Sequence, residues 1–242
     1  MNILIVGRGR MGALLRQTAE AAGDPVVAQV GREDLGQLET LGRVADVVVD
    51  FSAPAALEAV LAYVRRTGTA YLSGVTGLTA EQLERLRAAG CAAPVLHSAN
   101  FSLGIAVFQR VLAQIAPVLK PDFDVEIVET HHNRKADAPS GTAKLLLDAI
   151  DPAHELTPVY GREGLCGARE KGEIGVHALR GGTVAGEHTV HFFGLDEELA
   201  ITHRAASRQI FVSGALHVAR LLPALPAGNY DLQKILFGED RV

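Results

Sequence analysis

The segment Glu129–Ala143, ETHHNRKADAPSGTA, places two adjacent histidines, an Arg-Lys pair, an aspartate and a Pro-Ser-Gly-Thr turn between a strand-like and a helix-like run. Imidazole changes charge near neutrality, so a histidine here can give or take a proton at physiological pH. Lys135 supplies a nearby cation and a second acid. Adjacent side chains on extended backbone point to opposite faces, so His131 and His132 cannot share one task. Ser140 and Thr142 can cap the following helix, and Gly141 exposes backbone N–H groups at its N-terminus, where a carboxylate binds well. The sequence shows no cysteine or carboxylate cluster that completes a zinc set with these histidines, so no metal is expected. Together the residues describe proton transfer beside an anion cradle.

A second motif opens the chain. VGRGRMG sets Gly7, Gly9 and Gly12 in G-x-G-x-x-G spacing, directly after an apolar run and at the start of a helical pattern. The first glycine permits a tight turn, the second lets backbone approach a pyrophosphate, and the third allows close helix–strand packing. The helix N-terminus then faces the phosphates with its positive dipole end. At the end of the second strand, where NAD-binding chains carry Asp or Glu, this chain has Gly31-Arg32, with Glu33 and Asp34 following. Arg32, helped by Arg10, suits a 2′-phosphate. The expected cofactor is therefore NADPH by preference, with NADH also accepted.

These groups need a frame to hold them. Residues 2–7, 25–30, 45–52, 70–74 and 93–99 read as short buried strands rich in Val, Ile and Leu. Helical patterns lie between them and end on Gly23, Gly68 and Gly90, which read as C-terminal caps, and Thr79 with Gln82 reads as a capping box. Repeated β-α units argue for a parallel sheet covered by helices. After a helical stretch near 103–119 the rhythm changes. DFDVEIVETHH is a strand, GTAKLLLDAI a helix, and EIGVHALRGG, GEHTVHFFG and LAITHRAAS are strands of a mixed or antiparallel sheet with a helix on one face. The fold class is thus α/β, a Rossmann-type parallel sheet plus an α+β domain with a mixed sheet. Asp151–Lys171 reads as a mobile loop. His177, His188, His191 and His203 read as structural histidines, and Cys91 and Cys166 as inert thiols. Alternating apolar positions in the later strands leave more apolar surface than one helix covers, which predicts burial against another subunit.

Composition sets outer limits. The 242 residues are 48% hydrophobic and 21% charged, which suits a globular chain with a sizeable core. A net charge of −5 implies no general affinity for nucleic acid. The apolar start lacks a basic leader and no run reaches membrane-spanning length, so the expected location is the cytoplasm.

The motifs resemble a known family. ETHHNRKADAPSGTA is similar to the E-x-H-H-x-x-K-x-D-A-P-S-G-T-A signature of the dihydrodipicolinate reductases, also called 4-hydroxy-tetrahydrodipicolinate reductases, of diaminopimelate and lysine biosynthesis. GRGRMG, VVDFSAP, SGVTG, SANFSLG, GEIGVHALRGGTVAGEHTV and ITHRAASR follow in the family's order, so the resemblance covers nearly the whole chain. It implies a nucleotide domain from residues 1–102 and 212–242, and a substrate-binding, tetramer-forming domain from residues 103–211. It implies that His131 is the catalytic acid/base and Lys135 the proton donor, with His132, Ser140, Gly141 and Thr142 holding a cyclic dicarboxylate. The cofactor would meet Gly7, Arg8, Gly9, Arg10, Met11 and Gly12, then Gly74, Val75 and Thr76, and finally Ser98, Ala99, Asn100 and Phe101. Two departures stand out: the family commonly has G-T-T-G where this chain has GVTG, and its glycine turn is one residue longer. Two rival readings remain, the first of which shares only the nucleotide half. One is another two-domain dehydrogenase of amino acids or sugars; the other is a dinucleotide-sensing regulatory module. The intact HHNRK segment argues against both.

Overall fold

Runs of β-branched residues become strands where helices cover both faces of a sheet, since every side chain can then be buried. In the computed structural model, which describes residues 1–238, β1 (Ile3–Val6), β3 (Val47–Asp50) and β4 (Ala70–Ser73) are buried at every position. They alternate with α1 (Arg10–Ala21), β2 (Val26–Val30), α2 (Gln37–Thr40), α3 (Leu57–Thr67), α4 (Ala80–Ala88) and β5 (Pro94–His97). Leu4, Val6 and Val48 share one core cluster with Leu57, Val60, Leu61 and Val64 of α3. The capping box forms as expected: the Gln82 amide donates to Thr79 Oγ1 and the Thr79 amide to Gln82 Oε1. Gly68 takes a left-handed cap at φ 65°. Gly90 does not; it lies in a 3-10 turn, where a Cβ would come within 2.6 Å of the Asn229 side chain.

A second unit is built from α5 (Leu103–Leu119), β6 (Asp124–His131), α6 (Gly141–Ile150), β7 (Thr157–Val159), β8 (Glu173–Arg180), β9 (Gly186–Phe193) and β10 (Glu198–Ala205). Its sheet order is β10-β9-β6-β8-β7, antiparallel between β10, β9 and β6 and parallel between β6, β8 and β7. The sheet is mixed, as the sequence implied. Val125 and Ile127 of β6, Ile174 and Val176 of β8, and Val190 and Phe192 of β9 pack with Ile105, Phe108 and Leu112 of α5 and Leu146 of α6. Two helices, not one, use the apolar face. Cross-strand partners between β9 and β10 also include Thr189 with Thr202, their hydroxyls 3.0 Å apart, and His191 with Ala200.

Asp151–Lys171 is fastened at several points, contrary to the expected mobile loop. β7 pairs with β8, Arg162 donates to Glu126 and Glu173, and Arg169 donates to Asp124 and Glu126. Burial alone would raise the Glu126 carboxyl; hydrogen bonds from Arg162, His177 and Arg169 outweigh it and bring the carboxyl down to about 2.

The chain then returns to its first unit through α7 (Gln209–Leu221), β11 (Gly228–Tyr230) and α8 (Leu232–Phe237). α7 packs on α1, burying Val212 and Ala215 with Leu15 and Ala19. β11 adds a parallel edge strand beside β5, giving the order β11-β5-β4-β3-β1-β2. One unit is therefore Met1–Ser102 with the segment from Gln209 onward, and the other is Leu103–Arg208. No helix among the described residues is long and apolar enough to cross a membrane.

Candidate functional site

In the first sheet, β1 lies between β2 and β3, so successive connections leave β1 toward opposite edges. Ligands of open α/β sheets bind at such a switch, outside the carboxyl ends of the strands. A cleft of about 470 Å³ lies there, lined by Gly7–Gly9 after β1, Gly31–Leu35 after β2 and Phe51–Ala53 after β3, with Ala55 and Ala56. Gly7 sits at φ 113°, and a Cβ on Gly12 would lie 2.1 Å from the Gly7 carbonyl oxygen, so α1 can start there only without side chains at either position. The Gln29 amide nitrogen donates to that carbonyl at 2.9 Å and pins the turn from β2.

The loop after β2 differs from the sequence reading in one respect. Asp34 folds back, accepting the Gly31 N–H on Oδ1 and an Arg8 guanidinium N–H on Oδ2. Arg8 also donates to the Gln29 carbonyl at 2.8 Å. A carboxylate therefore does stand at the strand end, already engaged with Arg8. Arg8 and Arg32 line the cleft, whereas Arg10 begins α1 with Met11 behind it.

Gly74, Val75 and Thr76 follow β4, and Ser98, Ala99, Asn100 and Phe101 follow β5, on the same carboxyl edge but outside the lined cleft. Val75 and Phe101 are buried, and the Phe101 ring meets the Phe51 ring at 5.8 Å, so these two side chains serve packing. Gly74 is small because the Phe51 ring fills the place of its Cβ, which would lie 2.4 Å away. Ser98 Oγ donates to the Asn100 carbonyl and Asn100 Oδ1 accepts from Ser102 N–H, which shapes the turn. Beneath the cleft, Asp50 is wholly buried and accepts from Tyr71 Oη (3.0 Å) and Ser52 N–H (2.9 Å); burial raises its carboxyl. Ser52 lines the cleft with a buried Oγ that has no hydrogen-bond partner. An orphaned hydroxyl, a side-chain-free turn at a helix start and two arginines fit a dinucleotide.

The second candidate site is held by the β6, β8 and β9 register. Residues two apart on a strand share a face, so Glu129 and His131 lie on the buried side with Val125 and Ile127. Pairing puts His188 of β9 opposite Glu129 and Arg180 of β8 opposite His131. Glu129 is fully buried; its Oε1 accepts from the Ser140 amide and from Arg180 Nη2, each at 3.0 Å. Oε2 lies 3.0 Å from His131 Nδ1 without the alignment of a hydrogen bond, and 3.7 Å from His188 Nε2. Burial by itself would raise the Glu129 carboxyl, but the Ser140 and Arg180 hydrogen bonds and the His131 charge hold it below its usual range.

His131 is held below the ordinary histidine value, first by burial and also by Lys135, Arg180 and His132, against the upward pull of Glu129. His188, edge-on to His131 with ring centroids 5.1 Å apart, is pushed down to about 4, first by burial and then by the His131 charge. It is hydrogen-bonded through Nε2 to Ser140 Oγ at 3.1 Å. His188, read from sequence as a structural histidine, forms one of the walls of the site. His177 and His191 do stand apart, paired with Glu126 and Glu198.

The turn after β6 carries Lys135, whose Nζ binds both Asp137 oxygens at 2.8 and 2.9 Å. Arg180 Nη2 also donates to the Asp137 carbonyl at 2.7 Å, tying this turn to β8. Ser140 caps α6 by accepting the Ala143 N–H. Its amide and hydroxyl are both engaged inward, and it is buried, with Gly141 and Thr142 next to it at the helix start. His132 begins the turn, half-buried. Glu129, His131 and His188 offer ligand atoms within 4.8 Å of one another, a set not foreseen in the sequence. The adjacent Arg180 and Lys135 charges oppose a divalent cation there, so the set reads as a proton-handling group. Asp137 and Glu129 received no role from sequence; their only signal was their place inside long motifs.

Comparisons with known proteins point to one family. A family model for the N-terminus of dihydrodipicolinate reductase matches residues 1–101, and one for its C-terminus matches residues 104–236. The chain is 41% identical over 238 residues to the 4-hydroxy-tetrahydrodipicolinate reductase of an Exiguobacterium species, covering 97% of this chain and 95% of that one. It is 39% identical to the enzyme of the same name from Alkaliphilus oremlandii, covering 98% of each. Among solved structures, dipicolinate-bound dihydrodipicolinate reductase from Paenisporosarcina sp. TG-14 superposes with a TM-score of 0.72 at 22% identity, covering 96% of this chain and 97% of that one. A diaminopimelate dehydrogenase from C. glutamicum shares the fold at a TM-score of 0.58 and 14% identity, covering 97% and 93%.

Proposed function

The chain belongs to the dihydrodipicolinate reductase family, and from that premise we propose which residues carry out its chemistry. It is an oxidoreductase that uses NAD(P)H to reduce 4-hydroxy-tetrahydrodipicolinate, by way of dihydrodipicolinate, to tetrahydrodipicolinate in diaminopimelate and lysine biosynthesis. A bound nicotinamide supplies hydride to a ring carbon. Gly141 and Thr142 at the α6 N-terminus, with His132, receive the carboxylates of the cyclic substrate. Negative charge then grows toward the ring nitrogen, where His131 or Lys135 delivers the proton that balances the reaction. The observation that carries this reading is the Glu129–His131–Arg180 cluster bonded directly to the residue that caps α6. Freshly generated cyclic substrate should accelerate NADPH oxidation by the chain; oxidation independent of that substrate would refute the assignment.

The cofactor preference follows from Arg32 and Arg8. A charge-assisted contact to the 2′-phosphate contributes about 1.5–3 kcal/mol, or one to two powers of ten in affinity. Arg8 is already engaged with Asp34, so Arg32 is the main reader of the phosphate and NADH is also used. Arg32→Ala should weaken NADPH about 10–100-fold and NADH much less. Titrations at fixed ionic strength check this, and NADH binding tighter than NADPH in both proteins would reverse the preference.

We also propose a homotetramer formed through the second unit. α5 and α6 take up much of the apolar alternation, but Leu179, Phe193 and Leu199 remain exposed near strand ends and Thr189 and Thr202 offer hydroxyls. Light scattering at micromolar concentration should give four times the chain mass; a monomer would remove the idea. Both cysteines are free and exposed, which suits the reducing cytoplasm in which we place the enzyme.

A further inference from the structure

We propose that Glu129 is a positioning residue for His131, gripping the ring by Nδ1 so that Nε2 is the atom presented to substrate; this rests on the reading of His131 as a proton donor. The two ring edges have opposite surroundings. At Nδ1, the Glu129 Oε2 atom stands 3.0 Å away, and the other carboxylate oxygen is already held by Ser140 and Arg180. Both facing atoms are buried and make no aligned hydrogen bond, and the other neighbour of Oε2, His188 Nε2, is farther off at 3.7 Å, so each satisfies the other once the ring turns slightly into line. Catalytic hydrogen bonds are often loosely aligned before ligands bind. At Nε2, the neighbour is Gly186, where a Cβ would come within 3.2 Å. A glycine at 186 therefore keeps that edge clear.

The consequence is a defined proton order. In the neutral ring the proton sits on Nδ1, facing the carboxylate, and Nε2 carries the lone pair. In the charged ring Nε2–H is the acid. The titratable and charged groups around the ring are Glu129 on its own strand, Arg180 on β8, His188 on β9, and His132 and Lys135 in the turn, with Asp137 bound to Lys135. Burial, Lys135, Arg180 and His132 all disfavour imidazolium, and Glu129 is the group that favours it. Removing the carboxylate charge must therefore restrict the acid form to lower pH.

The test compares Glu129→Gln and Glu129→Asp with the wild type. The dependence of kcat/KM on pH should contain a limb that descends as His131 loses its proton. In Glu129→Gln this limb should move down by about one pH unit or more, with kcat near neutrality reduced at least about tenfold and KM changed little. Glu129→Asp keeps the charge and should restore the limb toward its wild-type position. A purely structural glutamate would lower activity without moving the limb, and that result would overturn the proposal. If Glu129→Gln does not fold, nitrogen-15 spectra of histidine-labelled wild type decide alone, assigned by comparison with His131→Gln. Neutral His131 should be protonated on Nδ1, and protonation on Nε2 would overturn the proposal. An inactive His131→Gln with an unmoved limb in Glu129→Gln rejects Glu129 alone; an active His131→Gln rejects the underlying proton-donor reading.

Discussion

A chain carrying both His131→Gln and Lys135→Met should fold and yet turn over about 10²–10⁴-fold more slowly than wild type. Folding survives because neither side chain supports much structure. His131 Nδ1 has no aligned hydrogen bond, and Lys135 pairs with the exposed Asp137 of its own turn, an interaction contributing about 0–1 kcal/mol. Activity does not survive, because these two are the groups proposed to neutralise charge on the ring nitrogen as hydride arrives. Initial rates and circular dichroism on the same preparation check the separation. Wild-type turnover in the folded double variant would remove both residues from the mechanism.

Arg180→Met should have the largest effect on stability, about 3–5 kcal/mol, because it leaves a fully buried carboxylate without its guanidinium. The melting midpoint should fall by roughly 10 °C. The pH dependence follows from sign. Glu129 has a folded-state pKa below its ordinary value, so its stabilisation is present above the unfolded carboxylate pKa and is lost as pH falls through the folded one. In Arg180→Met the buried carboxyl holds its proton more tightly, and protonation relieves the unpaired charge. The deficit should be widest near neutrality and shrink as pH falls through the variant's raised carboxyl pKa toward the lowered one of the wild type. A deficit that stayed constant with pH would show that Arg180 acts by packing alone. The same change frees the Asp137 carbonyl, so the Lys135 turn should loosen and turnover should fall as well.

The sequence made some parts of this site readable because they are local. The Gly7–Gly12 turn, the Ser140 cap of α6 and the Thr79–Gln82 box each depend on residues a few positions apart. The opposite facing of His131 and His132 follows from strand geometry alone. What escaped notice depends on pairing between distant segments. His188 and Arg180 join the cluster through the β6 register with β9 and β8, and in sequence only the family motifs around them mark them as supports of the site. Asp34 reaches the end of β2 only because its loop folds back on Gly31 and Arg8. The bonds from Ser140 to Glu129 and His188 likewise span segments far apart in sequence. The edge strands β7 and β11, three residues each, are too short to give a period, and Gly90 is small for the sake of Asn229 rather than as a helix cap.

The central claim is that hydride passes from a bound nicotinamide to the ring of a cyclic dicarboxylate while this chain supplies the proton. NADPH deuterated at the transferable position of its nicotinamide, reacted with freshly generated substrate in ordinary water, tests it directly by mass spectrometry of the product. The account predicts one carbon-bound deuterium per tetrahydrodipicolinate formed, in proportion to NADPH consumed. Product without deuterium, or NADPH oxidised with no product formed, would contradict it.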